Sequence, residues 1–547
     1  MTRHGGRLLA DQLAVHGAEI AFCVPGESYL ALLDGLHESE IRLITCRHEG
    51  AAANMAEAYG KLTGRPGLCL VTRGPGATHA AVGVHTAFQD STPLILLVGQ
   101  VGADIEEREA FQEIDYRRMF GPMAKWVAQI DRAERIPELV ARAFANACAG
   151  RPGPVVLALP ENVLAAETEV ADALPFHVVR PSPAAADVEA LEASLAAAER
   201  PLALIGGGGW TPAATRDLQT FLEANAIPAA AAFRRQDSLD NDSPSYVGEL
   251  GLGPNPKLAA RVRDADLLLV VGPRLGEITT SGYTLLDAPE PVQSLVHVQP
   301  GAEELGRVYR PDLPILSAPG PFAAAVAGLR LEPRWRAWAA EARSDYEAWQ
   351  RHEPMPGTLD LGECIARLRG RVPDAIVCNG AGNHTVWIHR FWRFHSFPSQ
   401  LGPTSGAMGY GVPAAIAAKA LRPERTVICF SGDGDFLMYG NELATAVQYD
   451  LPIVVLVVDN GMYGTIRMHQ ERHFPGRVVG TDLVNPDFAA YARAFGGHGE
   501  LVERTEEFPA ALDRALDAGV PAVISLKIDP EAITPRTTLS AIRAGSR

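Results

Sequence analysis

The stretch that decides the fold runs from Thr426 to Gly464 and reads TVICFSGDGDFLMYGNELATAVQYDLPIVVLVVDNGMYG. An apolar run ends in Gly-Asp-Gly at 432–434, a helix-length segment follows, and a second apolar run ends in Asp-Asn-Gly at 459–461. Two buried strands joined through a helix predict a parallel pair, because a crossover returns the chain to the same edge of the sheet. Both polar ends therefore project from one carboxyl edge, where open α/β sheets bind ligands.

The same alternation of short apolar runs and Ala-rich helical stretches extends along the whole chain. Uninterrupted apolar runs predict strands that are covered on both faces, and hence parallel sheets between layers of helices. The predicted strands are Ile20–Val24, Ile41–Thr45, Gly67–Thr72, Leu94–Gly99, Val155–Leu159, Leu202–Gly206, Leu267–Gly272, Ser294–Val298, Ala375–Asn379, Thr426–Ser431, Ile453–Asp459 and Ala522–Ile528. The fold class that follows is α/β, with doubly wound parallel sheets.

Two stretches are typical of linkers and divide the chain into three domains of similar size. Residues around 160–186 are acidic and punctuated by proline, and residues around 330–360 hold a charged, Trp-bearing helix before a Pro/Gly break. The predicted α/β domains are therefore 1–165, 187–330 and 358–547.

Composition excludes several classes of function. The 547 residues carry 65 acidic against 49 basic side chains, a formal net charge of −16, which argues against a nucleic-acid or anionic-membrane binder. The N-terminal segment has the pattern of a helix rather than of a signal peptide, and the longest apolar runs are far shorter than the roughly 18 residues that cross a bilayer. Seven cysteines lie far apart without a CxxC pair, so we expect a cytoplasmic protein with reduced, buried thiols.

The two polar strand ends suit a divalent cation. Asp433 offers a carboxylate, Asn460 offers an amide oxygen, and the neighbouring glycines let backbone approach closely. Mg2+ prefers oxygen ligands of this kind and usually also takes phosphate oxygens. We therefore predict a magnesium site at this edge, with room for a phosphate-bearing ligand.

This pair of strand ends resembles the diphosphate–Mg2+ motif of enzymes that depend on thiamine diphosphate (ThDP). The resemblance covers nearly the whole chain, is closest to the acetolactate synthase-like branch, and implies a pyrimidine-binding, a central and a diphosphate-binding domain in chain order. It also implies that Asp433, Asn460 and the carbonyl oxygen of Met462 ligate Mg2+. Further cofactor contacts that it implies are Gly432, Gly434, Asp435, Tyr463 and Gly464. In one departure, the family's Asn-Asn reads Asp459-Asn460, which adds a negative charge near the metal.

Two more loops of the C-terminal third resemble segments of the same family. The Gly-Ala-Met-Gly at 406–409 matches residue for residue, and this implies that Met408 lies beneath the cofactor and bends it, with Gly406 at its side. The loop at 379–384 resembles the family's Gly-Gln-His diphosphate loop, with Asn383 in place of Gln and then His384. For His384, a solvated loop position remains the alternative.

The N-terminal third resembles the pyrimidine-binding half. Arg-His-Glu at 47–49 follows a strand and opens an Ala-rich helix, where a glutamate is common for dipole reasons alone. The resemblance implies that Glu49 hydrogen-bonds N1′ of the aminopyrimidine and favours the imino tautomer that removes the C2 proton. It implies cofactor contacts at Pro25 and Gly26 too. Because the family joins the Glu domain of one subunit to the metal domain of another, we expect a homodimer or homotetramer.

The substrate side resembles acetolactate synthase only in part. An Ala-Phe-Gln-Glu segment implies that Phe111 and Gln112 lie near the substrate, and the neighbouring His-His pair of simple decarboxylases is absent. Glu27 stands where that enzyme has a small residue, so it could donate a proton or repel a carboxylate. Gln470 replaces the specificity Trp, and Ile278 replaces the Arg that holds a second keto acid. The catalytic residues that we predict are Glu49, Glu27 and Gln112.

Three hypotheses about the reaction follow. The first is an acetolactate synthase-like carboligase that decarboxylates a 2-keto acid and transfers the acyl unit to an altered carbonyl acceptor. The second is a non-oxidative 2-keto-acid decarboxylase or carboligating lyase. The third is an FAD-dependent oxidase or a catalytically silent ThDP-binding protein, because the family's central domain can hold FAD or be empty. The four glycines at 206–209 do not decide between those two states.

Overall fold

Three six-stranded sheets organise the protein, and the strand pairs within them are parallel. The computed structural model describes residues 2–545. In each sheet the chain builds one side outward from an inner strand, crosses back, and completes the other side, so all three sheets are doubly wound. The predicted fold class is confirmed.

In the N-terminal sheet, the strand that comes first along the chain lies second from one edge. The strands are β1 (Arg3–His4), β2 (Ile20–Cys23), β3 (Arg42–Thr45), β4 (Gly67–Val71), β5 (Leu94–Gln100), β6 (Trp126–Gln129), β7 (Pro154–Pro160) and β8 (Glu167–Thr168). The helices are α1 (Gly5–Val15), α2 (Leu30–His37), α3 (Glu49–Thr63), α4 (Gly74–Asp90), α5 (Tyr116–Phe120), α6 (Ile136–Cys148) and α7 (Glu161–Ala165). The sheet order is β3-β2-β4-β5-β7-β6, while β1 and β8 form a separate antiparallel pair. The direction of winding therefore reverses between β2 and β4.

The central sheet reverses its winding between its first and fourth strands. The strands are β9 (Pro201–Ile205), β10 (Ala229–Ala232), β11 (Tyr246–Leu250), β12 (Leu267–Val271), β13 (Ser294–Gln299) and β14 (Leu313–Leu316), in the order β11-β10-β9-β12-β13-β14. The helices are α8 (Ala185–Ala197), α9 (Pro212–Ala224), α10 (Pro256–Asp264), α11 (Pro319–Val326) and α12 (Arg336–Trp349). Helix α12 lies in the second predicted linker, and Trp335 and Tyr346 beside and within it pack into the core of this sheet.

The C-terminal sheet has the same plan. The strands are β15 (Ile376–Asn379), β16 (Gln400–Leu401), β17 (Val427–Gly432), β18 (Val454–Asp459), β19 (His498–Val502) and β20 (Ala522–Lys527), in the order β16-β15-β17-β18-β20-β19. The helices are α13 (Leu361–Arg371), α14 (His384–Phe391), α15 (Gly411–Leu421), α16 (Asp433–Tyr439), α17 (Leu443–Gln448), α18 (Gly464–His473), α19 (Phe488–Ala494), α20 (Phe508–Asp517) and α21 (Leu539–Gly545). Winding reverses between β15 and β17, and β18 lies next to β17.

The chain forms two compact units. The first comprises Met1–Val179 with the helical segments Ile416–Leu421 and Tyr439–Leu451, and the second comprises Arg180–Ala415, Arg422–Met438 and Pro452–Arg547. The predicted domain boundaries, 1–165, 187–330 and 358–547, stay predictions. All seven cysteines are buried and none of them forms a disulfide within residues 2–545, where no helix has the length and hydropathy to span a bilayer.

Helices α3 and α4 of the first unit approach each other at backbone distance. A Cβ atom placed on Gly83 of α4 would lie 2.4 Å from the Cβ of Ala53 and 2.6 Å from its carbonyl carbon, both on α3. Real atoms do not approach so closely, so the glycine is what allows this packing. The contact fixes how far one helix can slide along the other.

We expect Gly83→Ala to destabilise the first unit by about 1–3 kcal/mol, because the added methyl group meets backbone that cannot rotate away. The measurement is the thermal midpoint of unfolding. Gly370→Ala in α13 is the matched control, since no atom lies within 4 Å of the added Cβ there. That control should be neutral or slightly stabilising, as alanine favours helix. Equal midpoints for the two variants would contradict the close helix contact.

Candidate active site

The three loops that follow β15, β17 and β18 converge at the carboxyl edge of the C-terminal sheet. Strand β17 is paired with both neighbours, with Gly432 opposite Val458 at the last step of the β17–β18 ladder. A Cβ atom on Gly432 would lie 3.1 Å from Nδ1 of His384, which follows β15. The reversal of winding thus brings together the loops at 380–384, 432–435 and 459–464, as expected for a ligand site at a switch point.

Asp433 is the buried carboxylate of this edge, with a residue exposure of 3%. Its Oδ1 accepts the N–H of Gly434 at 2.9 Å, and its Oδ2 accepts the N–H of Gly461 and Nδ2 of Asn485, each at 2.8 Å. Burial is the main reason why the pKa of Asp433 is raised, and the nearby charge of Asp459 adds to the effect. The charged form of Asp433 therefore needs a positive partner.

The negative charge of Asp459, which replaces the family's asparagine, is largely balanced by other groups of the protein. Its Oδ2 pairs with Nζ of Lys527 at 2.8 Å, and its Oδ1 accepts the N–H of Gly461 at 3.1 Å and Nδ2 of Asn485 at 2.8 Å. Asn485 therefore bridges the carboxylates of Asp433 and Asp459, and sequence reasoning missed it because it lies outside every motif.

The residues at this edge fit a bound magnesium ion. Asn460 turns its Oδ1 back onto the N–H of Met462 at 3.1 Å, so its side chain stays within the loop that follows β18. Asn485 keeps a buried Oδ1 without a hydrogen-bond partner in the described chain. A set made only of carboxylate, amide and backbone oxygens, together with a buried acid of raised pKa, is what a hard divalent cation satisfies. The Mg2+ ligands Asp433, Asn460 and Met462 remain a prediction.

His384 begins α14 and is buried rather than solvated. Burial lowers the pKa of His384 to about 3, with Arg234 and His389 adding to the effect, so the ring is neutral. Its Nε2 is buried without a hydrogen-bond partner in residues 2–545. Such an orphaned nitrogen fits a contact to a ligand. Its neighbour Asn383 accepts a hydrogen bond from the hydroxyl of Thr465 at 2.9 Å, which ties this loop to α18.

Asp435 joins three loops rather than facing outward. Its Oδ1 accepts the backbone N–H groups of Gly409 at 2.7 Å and Ala381 at 3.1 Å, while its Oδ2 accepts the hydroxyl of Ser431. A Cβ atom on Gly380 would lie 2.0 Å from Oδ2, so the glycine leaves the space that the carboxylate fills. The structure therefore places Asp435 as an internal tie, and a direct contact with the diphosphate stays a prediction.

The remaining predicted contacts of this sheet lie on the same loops. Gly406 has a φ of 72°, which favours glycine, and it is exposed beside the half-buried Met408. A Cβ atom on Gly434 would lie 2.5 Å from the ring of Tyr463, and one on Gly464 would lie 2.8 Å from Nδ2 of Asn460. The glycines thus keep the loops after β17 and β18 packed against each other.

Glu49 lies in the first unit, at the first position of α3. His48 caps this helix, because its Nδ1 accepts the N–H of Gly50 at 3.0 Å. The Glu49 carboxylate contacts Nδ1 of His79 through Oε2 at 2.9 Å.

The loops after β2 and β4 form the switch point of the N-terminal sheet. A Cβ atom on Gly26 would lie 2.5 Å from the Cβ of Thr72, so the two loops are in contact, and Pro25 and Glu27 are exposed beside them. Ser28 follows, with its Oγ 2.9 Å from Oγ1 of Thr72. The predicted acid Glu27 is therefore near the cofactor side of this sheet and open to solvent.

The predicted substrate segment is held by an arginine that the motifs did not flag. Arg73 donates from Nη1 to the carbonyl oxygen of Phe111 at 3.2 Å, and its guanidinium pairs with Glu161. The side chain of Phe111 is among the exposed large apolar groups, with a residue exposure of 72%. Gln112 has a φ of 64°, and its Oε1 is buried without a partner in residues 2–545. The segment therefore presents an aromatic ring and an unpaired amide oxygen.

Gln470 is already engaged within its own unit. Its Nε2 donates to the carbonyl oxygen of Val479 at 2.7 Å, and its Oε1 accepts the N–H of Val479 at 3.4 Å. Its neighbour Glu471 is paired in a bidentate manner with Arg543 of α21, and this pairing lowers the pKa of Glu471 to about 2. The role of Gln470 in substrate choice stays a prediction.

The loops at the central switch point are in close backbone contact. A Cβ atom on Gly207 would lie 2.1 Å from the carbonyl oxygen of Gly272, so the loops after β9 and β12 touch through backbone. The buried indole of Trp210 donates to the carbonyl oxygen of Gly206 at 2.7 Å, and Gln299 at the end of β13 donates to Gly272 at 2.6 Å. A flavin in the central domain stays a hypothesis.

We expect Asp433→Ala to abolish Mg2+-dependent binding of ThDP, because it removes the buried carboxylate that the ion would neutralise. Calorimetric titration of ThDP with and without Mg2+ is the measurement. Asp487→Ala is a matched control, since that carboxylate caps α19 at the surface instead. Unchanged affinity in the Asp433 variant would overturn the metal assignment.

Comparisons with known proteins identify the family. The chain matches three family models, described as the N-terminal TPP binding domain, the central domain and the C-terminal TPP binding domain of thiamine pyrophosphate enzymes, over residues 3–119, 188–326 and 380–526. It is 31% identical to the acetolactate synthase isozyme 2 large subunit of Escherichia coli, over 96% of both chains. It is 33% identical to the acetolactate synthase large subunit of Parasynechococcus marenigrum, over 96% of this chain and 88% of the relative. The chain belongs to the thiamine pyrophosphate enzymes and is an acetolactate synthase-like member of that family.

Proposed function

We propose that the protein is a ThDP- and Mg2+-dependent carboligase that decarboxylates a 2-keto acid and transfers the acyl unit to a second carbonyl compound other than the keto acid that acetolactate synthase accepts. The observation that carries the proposal is the buried Asp433 at the switch point of the C-terminal sheet, beside Asn460. The whole-length acetolactate synthase relatives supply the reaction class.

ThDP, when bound, supplies a thiazolium carbon that adds to a carbonyl group and accepts its electrons as CO2 leaves. Asp433, Asn460 and the carbonyl oxygen of Met462 would hold the metal and, through it, the diphosphate. Glu49 would hydrogen-bond N1′ of the pyrimidine. Its side chain is 15% exposed, so the carboxylate works in a largely dry setting, where a hydrogen bond of this kind is strong.

The predicted substrate segment, which holds Phe111 and Gln112, retains the features that favour carboligation. Phe111 offers an exposed ring and Gln112 an unpaired amide oxygen, and the backbone of this segment is held by the guanidinium of Arg73. An amide beside the reacting carbonyl can hold a substrate oxygen without supplying a proton. That property suits transfer to a second carbonyl better than release of an aldehyde.

The acceptor side supports a change of acceptor. Acetolactate synthase holds its second keto acid with an arginine, and the matching position is Ile278, which has no charge to offer a carboxylate. Gln470 stands in place of the bulky Trp, and its amide is tied to Val479. An acceptor without a carboxylate, such as an aldehyde, fits these two changes best.

A non-oxidative decarboxylase is the second candidate, and Glu27 is the observation that favours it. This carboxylic acid is exposed beside the switch-point loops of the first unit and has no counterpart in acetolactate synthase. It could deliver the proton that completes aldehyde release. An oxidase, the third hypothesis, would require a bound flavin in the central domain.

The deciding experiment is product analysis by mass spectrometry, with a panel of 2-keto acids and aldehydes, ThDP and Mg2+. We expect CO2 release together with a 2-hydroxy ketone formed from the keto acid and the added aldehyde. Flavin absorbance of the purified protein would show whether the central domain holds FAD. Acetolactate as the main product from pyruvate alone would contradict the altered acceptor, and a lack of any ThDP-dependent turnover would contradict the enzyme assignment.

The same assay tests Glu27. In Glu27→Ala the share of free aldehyde should fall, since a general acid typically contributes about 10²–10⁴-fold to its step. Glu27→Gln keeps the size without the proton and should behave like the alanine variant. Glu38→Ala, an exposed acid at the end of α2, is the control. An aldehyde-to-hydroxyketone ratio that does not move would place Glu27 outside the reaction.

A further inference from the structure

His79 contacts the carboxylate on which the proposed reaction depends. Its Nδ1 lies 2.9 Å from Oε2 of Glu49, and the side-chain exposures are 54% for the histidine and 15% for the glutamate. The histidine ring is therefore partly exposed to solvent, while the carboxylate that it contacts is largely buried. No motif of the sequence assigned a role to this histidine.

The close packing of α3 against α4 fixes the contact between His79 and Glu49. His79 and Gly83 are one turn apart on α4, and Glu49 and Ala53 are one turn apart on α3. Gly83 and Ala53 touch at backbone distance, so the two helices cannot slide without a clash. The preceding turn of each helix is thereby held in register, and the histidine and the glutamate meet across that turn.

The other groups that face His79 leave this hydrogen bond intact. The ring of His48 lies 4.7 Å away, and its Nδ1 accepts the N–H of Gly50 and carries no proton. Burial, with His79 adding to the effect, lowers the pKa of His48, so this ring is neutral. Tyr439 lies 5.0 Å from the ring of His48, and burial raises the pKa of its hydroxyl. Glu49 is therefore the anionic group that His79 faces.

The contact uses one carboxylate oxygen and leaves the other open. Oε1 of Glu49 has no hydrogen bond to residues 2–545, and a Cβ atom on Gly76 would lie 3.7 Å from it. The loop that borders this oxygen therefore has no side chain at that point. A carboxylate that is held through Oε2 presents Oε1 in one direction.

We propose that His79 is a positioning residue that donates Nδ1–H to Oε2 of Glu49 and so aims Oε1 at the pyrimidine nitrogen of the cofactor. The inference rests on the proposed function. Because it concerns activation of the cofactor, loss of the hydrogen bond lowers kcat by a similar factor for every donor and acceptor and leaves KM for the acceptor unchanged.

The first test needs no cofactor. Two-dimensional 1H–15N spectra of histidine-labelled protein report which ring nitrogen carries the proton. We expect His79 with its proton on Nδ1 in the wild type, and the Nε2–H form that exposed histidines prefer in Glu49→Ala. The Nε2–H form in the wild type would overturn the proposal.

The second test follows exchange of the C2 proton of bound ThDP with deuterium, in the presence of Mg2+. His79→Leu should slow the exchange by about 10–100-fold, the range for loss of a charge-assisted hydrogen bond. His79→Asn places an amide N–H near the former Nδ1 and should stay within about threefold of the wild type. His85→Leu, an exposed histidine of the same helix, is the matched control.

The outcomes separate the two proposals. Wild-type protein that does not bind ThDP would contradict the proposed function, and the nitrogen spectra would still decide the contact with Glu49. Wild-type exchange rates in His79→Leu, or an equal loss in His79→Asn and His79→Leu, would overturn the positioning role while the proposed function stands. Tighter ThDP binding by His79→Leu would also overturn it, since the histidine would then compete with the cofactor for Glu49.

Discussion

A carboxylate buried at the edge of a parallel sheet is the constraint on which the active site depends. Asp433 is almost fully enclosed, and both burial and Asp459 oppose its charge. Three hydrogen bonds from Gly434, Gly461 and Asn485 offset part of the cost, which for an isolated buried ion amounts to several kcal/mol. A divalent cation at this edge, as we propose, would complete the balance. The burial and the raised pKa of Asp433 support that proposal.

The loops around Asp433 can converge only because their strands are neighbours. Reversal of winding puts β15 beside β17, and a single crossover puts β18 on the other side. Asp435 then ties the loop after β15 to Gly409 and to the end of β17. The N-terminal sheet repeats the plan, and its switch point carries Gly26 and Thr72 in contact. The central sheet repeats it too, and there Trp210 and Gln299 donate hydrogen bonds to the carbonyl oxygens of Gly206 and Gly272.

The sequence was informative where local pattern and topology agree. Every strand expected from an apolar, β-branched run is present within a residue or two of its predicted ends, because such runs are stable only between two layers of helices. Edge strands such as β6, β11 and β19 were missed, since one exposed flank leaves them without a continuous apolar run. Strand β10 was missed for another reason: its sequence is Ala-Ala-Ala-Ala, which favours helix, and burial between β9 and β11 overrides that preference.

The same distinction between local pattern and tertiary packing applies to the residues of the candidate site. Motifs nominated Asp433, Asn460 and Glu49, because the predicted metal ligands and an acid in the first turn of a helix follow strands at recognisable spacings. They could not find Asn485 or His79, whose contacts with Asp433 and Glu49 arise only when distant segments pack. His384 could not be told from a solvated loop residue, since its burial, which lowers its pKa, arises only from tertiary packing. Tertiary contacts therefore set the burial and the hydrogen bonds of residues that the sequence can only suggest as candidates.

The central claim is that this chain activates ThDP through Glu49. The most direct measurement is the rate at which the C2 proton of bound ThDP exchanges with deuterium in Mg2+-loaded wild type and in Glu49→Gln, with cofactor affinity measured alongside. The account predicts rapid exchange in the wild type and a loss of at least about a hundredfold in the variant, the lower range for removal of a proton-relay group, while the cofactor stays bound. Equal exchange rates in the two proteins, with the cofactor bound in both, would contradict it.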